Sequence, residues 1–180
     1  METHRQLQKN IYMMGFMGCG KSSVGLLLAK RLNWEFLDTD ICIERDAGIS
    51  ISEIFNRYGE SHFRRLEKEC IARVSKLKRQ VISLGGGAII DPENWKAISR
   101  SGVTISICYP PEIIMERLVA VKDRPLLGDT DETKRFQRII DLMEEREKYY
   151  KQADLLLYFN KEIEIERVTD MILGYVKGIS

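Results

Sequence analysis

Short apolar runs and longer amphipathic stretches alternate along the whole chain. Residues 11–14 form a continuous apolar run of strand length that ends on a glycine-rich turn. Val24, Leu27, Leu28 and Leu32 then recur at helical spacing. Residues 35–38 read as a second strand, followed by turn signals at Gly48 and Gly59 and a long helix over about 61–78. Residues 81–84 predict a third strand, closed by Gly85-Gly86-Gly87. Asp91-Pro92 opens a helix, because proline in the first helical position loses no hydrogen bond. A fourth strand is predicted at 103–109, and Pro111 opens the next helix. After a polar segment at 123–131 come a helix to about 151, a fifth strand at 155–159 and a last helix to about 176. Strands alternating with helices predict the α/β class, a parallel sheet covered on both faces. No shift in composition divides residues 1–180, so they read as one domain.

Composition narrows the function more than the fold. Hydrophobic residues are 44% and charged residues 31%, with 13 Gly and only 4 Pro, which excludes disordered and collagen-like chains. The longest apolar run, 155–159, is far short of the ~20 residues of a membrane span. Residues 1–10 are polar and lack a secretory apolar stretch, so the expected location is the cytoplasm. The net charge is +1, from 28 basic and 27 acidic side chains. That balance gives no basic excess for nucleic acid and no membrane-binding run. Cys19, Cys42, Cys70 and Cys108 form no CxxC pair, and the only histidines are His4 and His62. Zinc is therefore excluded, and any metal would be a hard cation held by oxygen.

Gly15-Phe16-Met17-Gly18-Cys19-Gly20-Lys21-Ser22 fits G-x-x-x-x-G-K-[ST] at every fixed position, after a strand and before a helix. Glycines let the backbone turn its N–H groups toward phosphate oxygens, and the helix adds its positive amino end. Lys21 supplies a cation to the β and γ phosphates, and the Ser22 hydroxyl can bind Mg²⁺. A guanine switch is excluded: no D-x-x-G occurs, and Asn160-Lys161-Glu162-Ile163 lacks the base-reading aspartate.

Asp38-Thr39-Asp40 stands where strand two should end, at the ligand-binding edge of a parallel sheet. Read as strand, residues i and i+2 face the same way, so both carboxylates enter the cleft and Thr39 points away. We assign Asp38 to Mg²⁺ through water and Asp40 to the hydroxyl of an acceptor. A helix cap at Asp40 would account for one acid and not for two. Arg64 and Glu67 are neighbours on one helical face, which suits an aimed guanidinium and equally suits an ordinary surface pair. Arg146 carries the same ambiguity. The triple glycine lets a substrate lie against bare backbone. Arg117, Lys122 and Arg124 bracket a Pro-containing segment that fits a closing lid and equally fits a solvated linker.

In this order and spacing the pieces resemble the shikimate kinase family of nucleoside-monophosphate-kinase-like P-loop enzymes. The resemblance spans residues 11–159. It takes in the P-loop, Asp38-Thr39-Asp40-Ile41-Cys42-Ile43-Glu44, Ser50-Ile51-Ser52-Glu53-Ile54-Phe55, Gly59-Glu60 and Phe63-Arg64-Arg65-Leu66-Glu67. It continues through the triple glycine, Arg117 with Arg124-Pro125-Leu126-Leu127, and Arg146 with Tyr149. The resemblance implies a three-layer P-loop kinase fold with a five-stranded parallel sheet in the order 2-3-1-4-5. It also implies a substrate-binding subdomain at about 41–78 and a lid at about 119–131. The implied reaction is Mg²⁺-assisted transfer from ATP to the 3-hydroxyl of shikimate, giving shikimate 3-phosphate and ADP on the route to chorismate, by a monomer.

By the same resemblance Asp40, Lys21 and Arg124 are catalytic. ATP would be held by Gly18, Cys19, Gly20, Lys21, Ser22, Ser23, Arg117 and Arg124. Asp40, Arg64, Gly86 and Arg146 would contact shikimate, with Phe55, Phe63, Glu67, Gly85 and Gly87 around them, and Ser22 and Asp38 would hold the metal. Cys19 departs from the small Ala or Ser usual in the family, and residues 160–163 lack the proline of its adenine-contacting loop. A related kinase for gluconate or a nucleoside monophosphate is the competing enzyme reading. A non-catalytic ligand-binding homologue is the other, and it should have lost Lys21, Asp38 or an arginine; all are present.

Overall fold

The computed structural model describes residues 9–119 and 131–179. Arg124, Lys122 and nearly all of the expected lid lie outside the described residues. The elements run β1 (Asn10–Met14), α1 (Lys21–Leu32), β2 (Glu35–Asp38), α2 (Thr39–Ala47), α3 (Ile51–Val74) and β3 (Gln80–Ser83). After a short 3₁₀ turn at Ala88–Ile90 come α4 (Pro92–Ser101), β4 (Gly102–Cys108), α5 (Pro111–Val119), α6 (Glu132–Tyr150), β5 (Leu155–Tyr158) and α7 (Ile165–Gly178).

The five strands form one sheet in the order β2-β3-β1-β4-β5, all neighbours parallel. β1 is the middle strand and every residue of it is buried, which is why it reads as an unbroken apolar run rather than an alternation. Ile11 and Tyr12 stand opposite Val81 and Ile82 on one side and Val103 and Thr104 on the other. The chain crosses from β1 to β2 in one direction and makes its later crossovers in the other. Right-handed connections then place α1 on one face and α3, α4 and α6 on the opposite face. The packing agrees: α7 lies on α1, while α4 lies on α3 and α6 touches the 3₁₀ turn. The loops leaving β1 and β3 consequently part toward opposite faces, and a crevice opens between the carboxyl ends of those strands.

One helix differs from the sequence expectation. Gly59 reads as a turn before a helix starting near Ser61, yet α3 already begins at Ile51. Ser50 caps it: its hydroxyl accepts the Glu53 N–H at 3.2 Å, and the Glu53 carboxylate accepts the Ser50 N–H at 3.2 Å. Gly59 sits inside as a kink, with φ 79° and ψ 173°, a conformation open essentially to glycine alone.

Candidate active site

The crevice between β1 and β3 receives the P-loop from one strand and the triple glycine from the other. The P-loop is wedged in place by its glycines. Gly15 has φ 141°, and a Cβ there would stand 2.4 Å from the Ile107 carbonyl oxygen at the end of β4. Gly20, at φ 87°, turns the chain into α1, whose first turn carries no acid to repel a phosphate. Arg117 braces the loop from α5: its guanidinium donates to the Gly18 carbonyl at 2.9 Å and to Glu162 at 2.9 Å, and lies 4.1 Å over the Tyr109 ring. It is thus a strut as well as a member of the predicted nucleotide set.

Ser22 and Asp38 meet as expected. The Ser22 hydroxyl donates to the Asp38 carboxylate at 2.7 Å and lies 3.0 Å from the Ser83 hydroxyl, an all-oxygen group suited to a hard divalent cation. Asp38 and Asp40 do not share a strand face, contrary to the sequence expectation. The helix starts at Thr39, and Asp38, not Asp40, is its cap, accepting the Asp40 N–H at 3.0 Å. Thr39 turns inward, fully buried, and its hydroxyl accepts the Gly85 N–H at 2.9 Å. Asp40 still reaches the crevice, but from the first helical turn of α2.

A second group lines the far side. Arg64 donates to Glu67 at 2.9 Å and to Glu60 at 3.0 Å. Glu67 is only 2% exposed, so this is no ordinary surface pair. Burial pushes the Glu67 carboxyl above its usual range, with the Arg64 guanidinium working against that rise. One Glu67 oxygen and the Arg146 Nε are buried without a hydrogen-bond partner among the described residues. Arg146 is 3% exposed and lies 5.8 Å over the Phe16 ring. The Phe55 and Phe63 rings pack at 4.9 Å.

The triple glycine supplies space rather than unusual backbone angles. None of the three has positive φ. A Cβ at Gly85 would stand 2.7 Å from the Asp40 carboxylate, and one at Gly87 2.9 Å from the Arg64 guanidinium. Gly86 lies between, with Arg146 at 3.5 Å from the same hypothetical position.

These residues frame two clefts. One, of about 280 Å³, is lined by Asp40, Phe55, Phe63, Arg64, Glu67, Gly85, Gly86, Gly87 and Arg146 together with Met17 and Lys21. The other, of about 430 Å³, is lined by Gly18, Gly20, Lys21, Ser22, Ser23, Asp38, Asp40 and Arg117. Met17, Lys21 and Asp40 belong to both. Cys19 is buried and lines neither cleft. Among the described residues no cluster of three or more His, Cys, Asp or Glu side chains could hold a metal alone. No described helix is long and apolar enough to cross a membrane. Sequence reasoning missed Thr39, Glu162 and Tyr150, whose hydroxyl donates to the Gly86 carbonyl at 2.7 Å. Only Tyr150 left a local signal, one helical turn after Arg146.

Known proteins align with this arrangement over most of the chain. The family model for shikimate kinase matches residues 17–177. A shikimate kinase of Caldanaerobacter subterraneus subsp. tengcongensis is 41% identical over 94% of this chain and 97% of its own length. One of Geobacter metallireducens is 43% identical over 94% of this chain and 93% of its own. Among solved structures, shikimate kinase from Acinetobacter baumannii in complex with shikimate superposes with a TM-score of 0.90 at 32% identity, covering 96% of this chain and 95% of that one. A gluconokinase from Sinorhizobium meliloti superposes with a TM-score of 0.62 at 13% identity, which shows a shared fold alone. With a P-loop cleft joined to a second cleft lined by Arg64 and the buried Arg146, and with relatives of this identity spanning nearly its full length, the chain belongs to the shikimate kinase family.

Proposed function

We propose that the larger cleft seats ATP and the smaller seats shikimate, so that the γ-phosphoryl group passes to the 3-hydroxyl across the residues the clefts share. The observation that carries this reading is that Lys21 and Asp40 line both cavities. A transfer between two bound ligands needs such a common wall, with a cation beside the moving phosphoryl group and an acceptor of hydrogen bonds beside the attacking oxygen. The shikimate bound in the Acinetobacter baumannii structure supports the choice of acceptor.

The roles follow from chemistry. Lys21 neutralises charge on the transferring group, and Asp40 holds the 3-hydroxyl in line; in a loose transition state that positioning outweighs proton abstraction. Arg64 and Arg146 grip the shikimate carboxylate, and Glu67 and Glu60 keep the Arg64 fork aimed. Phe55 and Phe63 wall the ring of the acceptor, and Gly85, Gly86 and Gly87 let it approach the backbone. On the nucleotide side the backbone from Gly18 to Ser23, Cys19 included, cradles the phosphates, with Arg117 beside them. Arg124, which the family resemblance makes catalytic, lies outside the described residues. Ser22 and Asp38 would hold Mg²⁺, which would supply neutralisation of the phosphate charge. All assigned residues come from one chain, so a monomer suffices, and ATP as co-substrate suits the cytoplasm.

The test is ADP release in a coupled assay with shikimate, gluconate or AMP as acceptor, and with no acceptor. Release only with shikimate, and its reduction by several orders of magnitude in Asp40→Ala, is the expected result. Turnover of gluconate or AMP instead, or a fully active Asp40→Ala enzyme, overturns the reading.

A further inference from the structure

We propose that Tyr150 is a positioning residue of the acceptor site, acting through the peptide between Gly86 and Gly87; the inference rests on the assignment of that cleft to shikimate. Tyr150 is 5% exposed at the end of α6 and lines neither substrate cleft. It instead lines a separate cavity together with Phe16, Tyr109 and Met143. The hydroxyl donates to the Gly86 carbonyl oxygen at 2.7 Å. Burial raises the hydroxyl's pKa further above the usual phenol value, so it stays a donor at every pH at which the protein would work.

The consequence lies on the other side of that peptide. No peptide bond among the described residues is cis. In a planar trans unit the carbonyl of Gly86 and the N–H of Gly87 point in opposite directions. With the carbonyl held by Tyr150, the Gly87 N–H turns away from Tyr150 and toward the acceptor cleft, which Gly87 lines. Three nearby amides are used internally, Gly85 N–H by Thr39, Ala88 N–H by Gly85 and Ile90 N–H by Gly87, whereas the Gly86 N–H has no partner among the described residues. The Gly87 N–H has no partner among the described residues. A glycine peptide has little of its own to resist rotation, and both flanking residues are glycine. A single buried hydroxyl therefore sets the direction of the free donor. The same helix carries Arg146 one turn earlier, so α6 presents the arginine and aims the amide as one rigid piece.

Tyr150→Phe keeps the ring and its packing while removing the donor. The shikimate KM should rise about threefold to tenfold, the worth of one net hydrogen bond, while the ATP KM stays at the wild-type value. An unchanged shikimate KM overturns the proposal, and so does a parallel rise in both KM values, which a merely structural role would produce. Should the variant not fold, wild-type protein labelled with ¹⁵N-glycine decides: the Gly87 amide resonance shifts on titration with shikimate alone, and an unmoved Gly87 amide at saturation refutes it. A wild-type enzyme that releases no ADP with shikimate would instead strike at the underlying assignment, so the two failures are told apart.

Discussion

Gly85→Ala separates the placement of Asp40 from the stability of the fold. Gly85 has no left-handed backbone, so alanine is tolerated in φ and ψ, and only space is at issue. The new Cβ would lie 2.7 Å from the Asp40 carboxylate and 3.1 Å from the Glu67 carboxylate. Asp40 is a short side chain that turns more easily than β3 moves, so its oxygen retreats by about 0.7 Å to reach ordinary contact. A misplacement of that size at a positioned group costs on the order of 10- to 100-fold in rate. That corresponds to roughly 1.4–2.7 kcal/mol of barrier. Holding a side chain off its preferred rotamer costs the fold only about 0.5–1.5 kcal/mol. In a chain of this length that lowers Tm by only a few degrees, about 2–4 °C per kcal/mol. Coupled ADP release at saturating shikimate and ATP, with a thermal melt of the same sample, reads both quantities. Gly87→Ala provides the contrast: it presses on the Arg64 guanidinium at 2.9 and 3.0 Å and should raise the shikimate KM more than it lowers kcat. A Gly85→Ala enzyme with wild-type kcat, or one whose loss is matched by equal unfolding, would refute the claim that this glycine exists to leave room for Asp40.

Three further outcomes are expected. Lys21→Met should lower kcat by about 10³-fold or more in the ADP-release assay while leaving the melt nearly unchanged, since the lysine faces the clefts. Burial raises the Glu67 carboxyl above its ordinary 4.5, so the folded chain holds that proton more tightly than the unfolded one. Stability from this group is full below pH 4.5 and is lost as pH rises through the raised value. Urea unfolding across that window should show the decline in wild type and a flatter profile in Glu67→Gln, and identical slopes would contradict it. Gly59→Ala meets nothing within 4 Å, so its penalty is purely the backbone strain of φ 79°, about 1–3 kcal/mol by urea denaturation.

What could be read from the chain alone follows from how local each signal is. Residues 11–14 mark a strand to within a residue, because a strand buried in a parallel sheet is an unbroken apolar run, and residues 35–38 mark the edge strand β2, none of whose residues is buried. The P-loop is contiguous, and its chemistry is written in its spacing. Asp38 and Asp40 lie at the expected edge, but strand alternation does not describe them: the Asp38 carboxylate caps the following residues into a helix, and the alternation stops there. Gly59 misleads in the same manner, since glycine marks an end and a kink alike, although the Ser50 and Glu53 capping box announces the true start of α3. Arg117 with Glu162, Thr39 with Gly85 and Tyr150 with Gly86 join residues far apart in sequence, and no spacing rule foretells such pairs.

The central place of β1 bears on how the chain is born. It leaves the ribosome well before the strands it pairs with, whose partner residues begin at Val81 and Val103. At about 5–20 residues per second, this strand, every residue of which is buried in the fold, waits several seconds unpaired, the interval in which a nascent chain most needs shielding. The loop that follows β1 must wait longer still, for the carbonyl of Ile107 to pack beneath it and for Arg117 and Glu162 to tie it down. The phosphate cradle is thus synthesised well before the residues that complete it, and nucleotide capture by a growing chain would report that Arg117 and Glu162 have emerged.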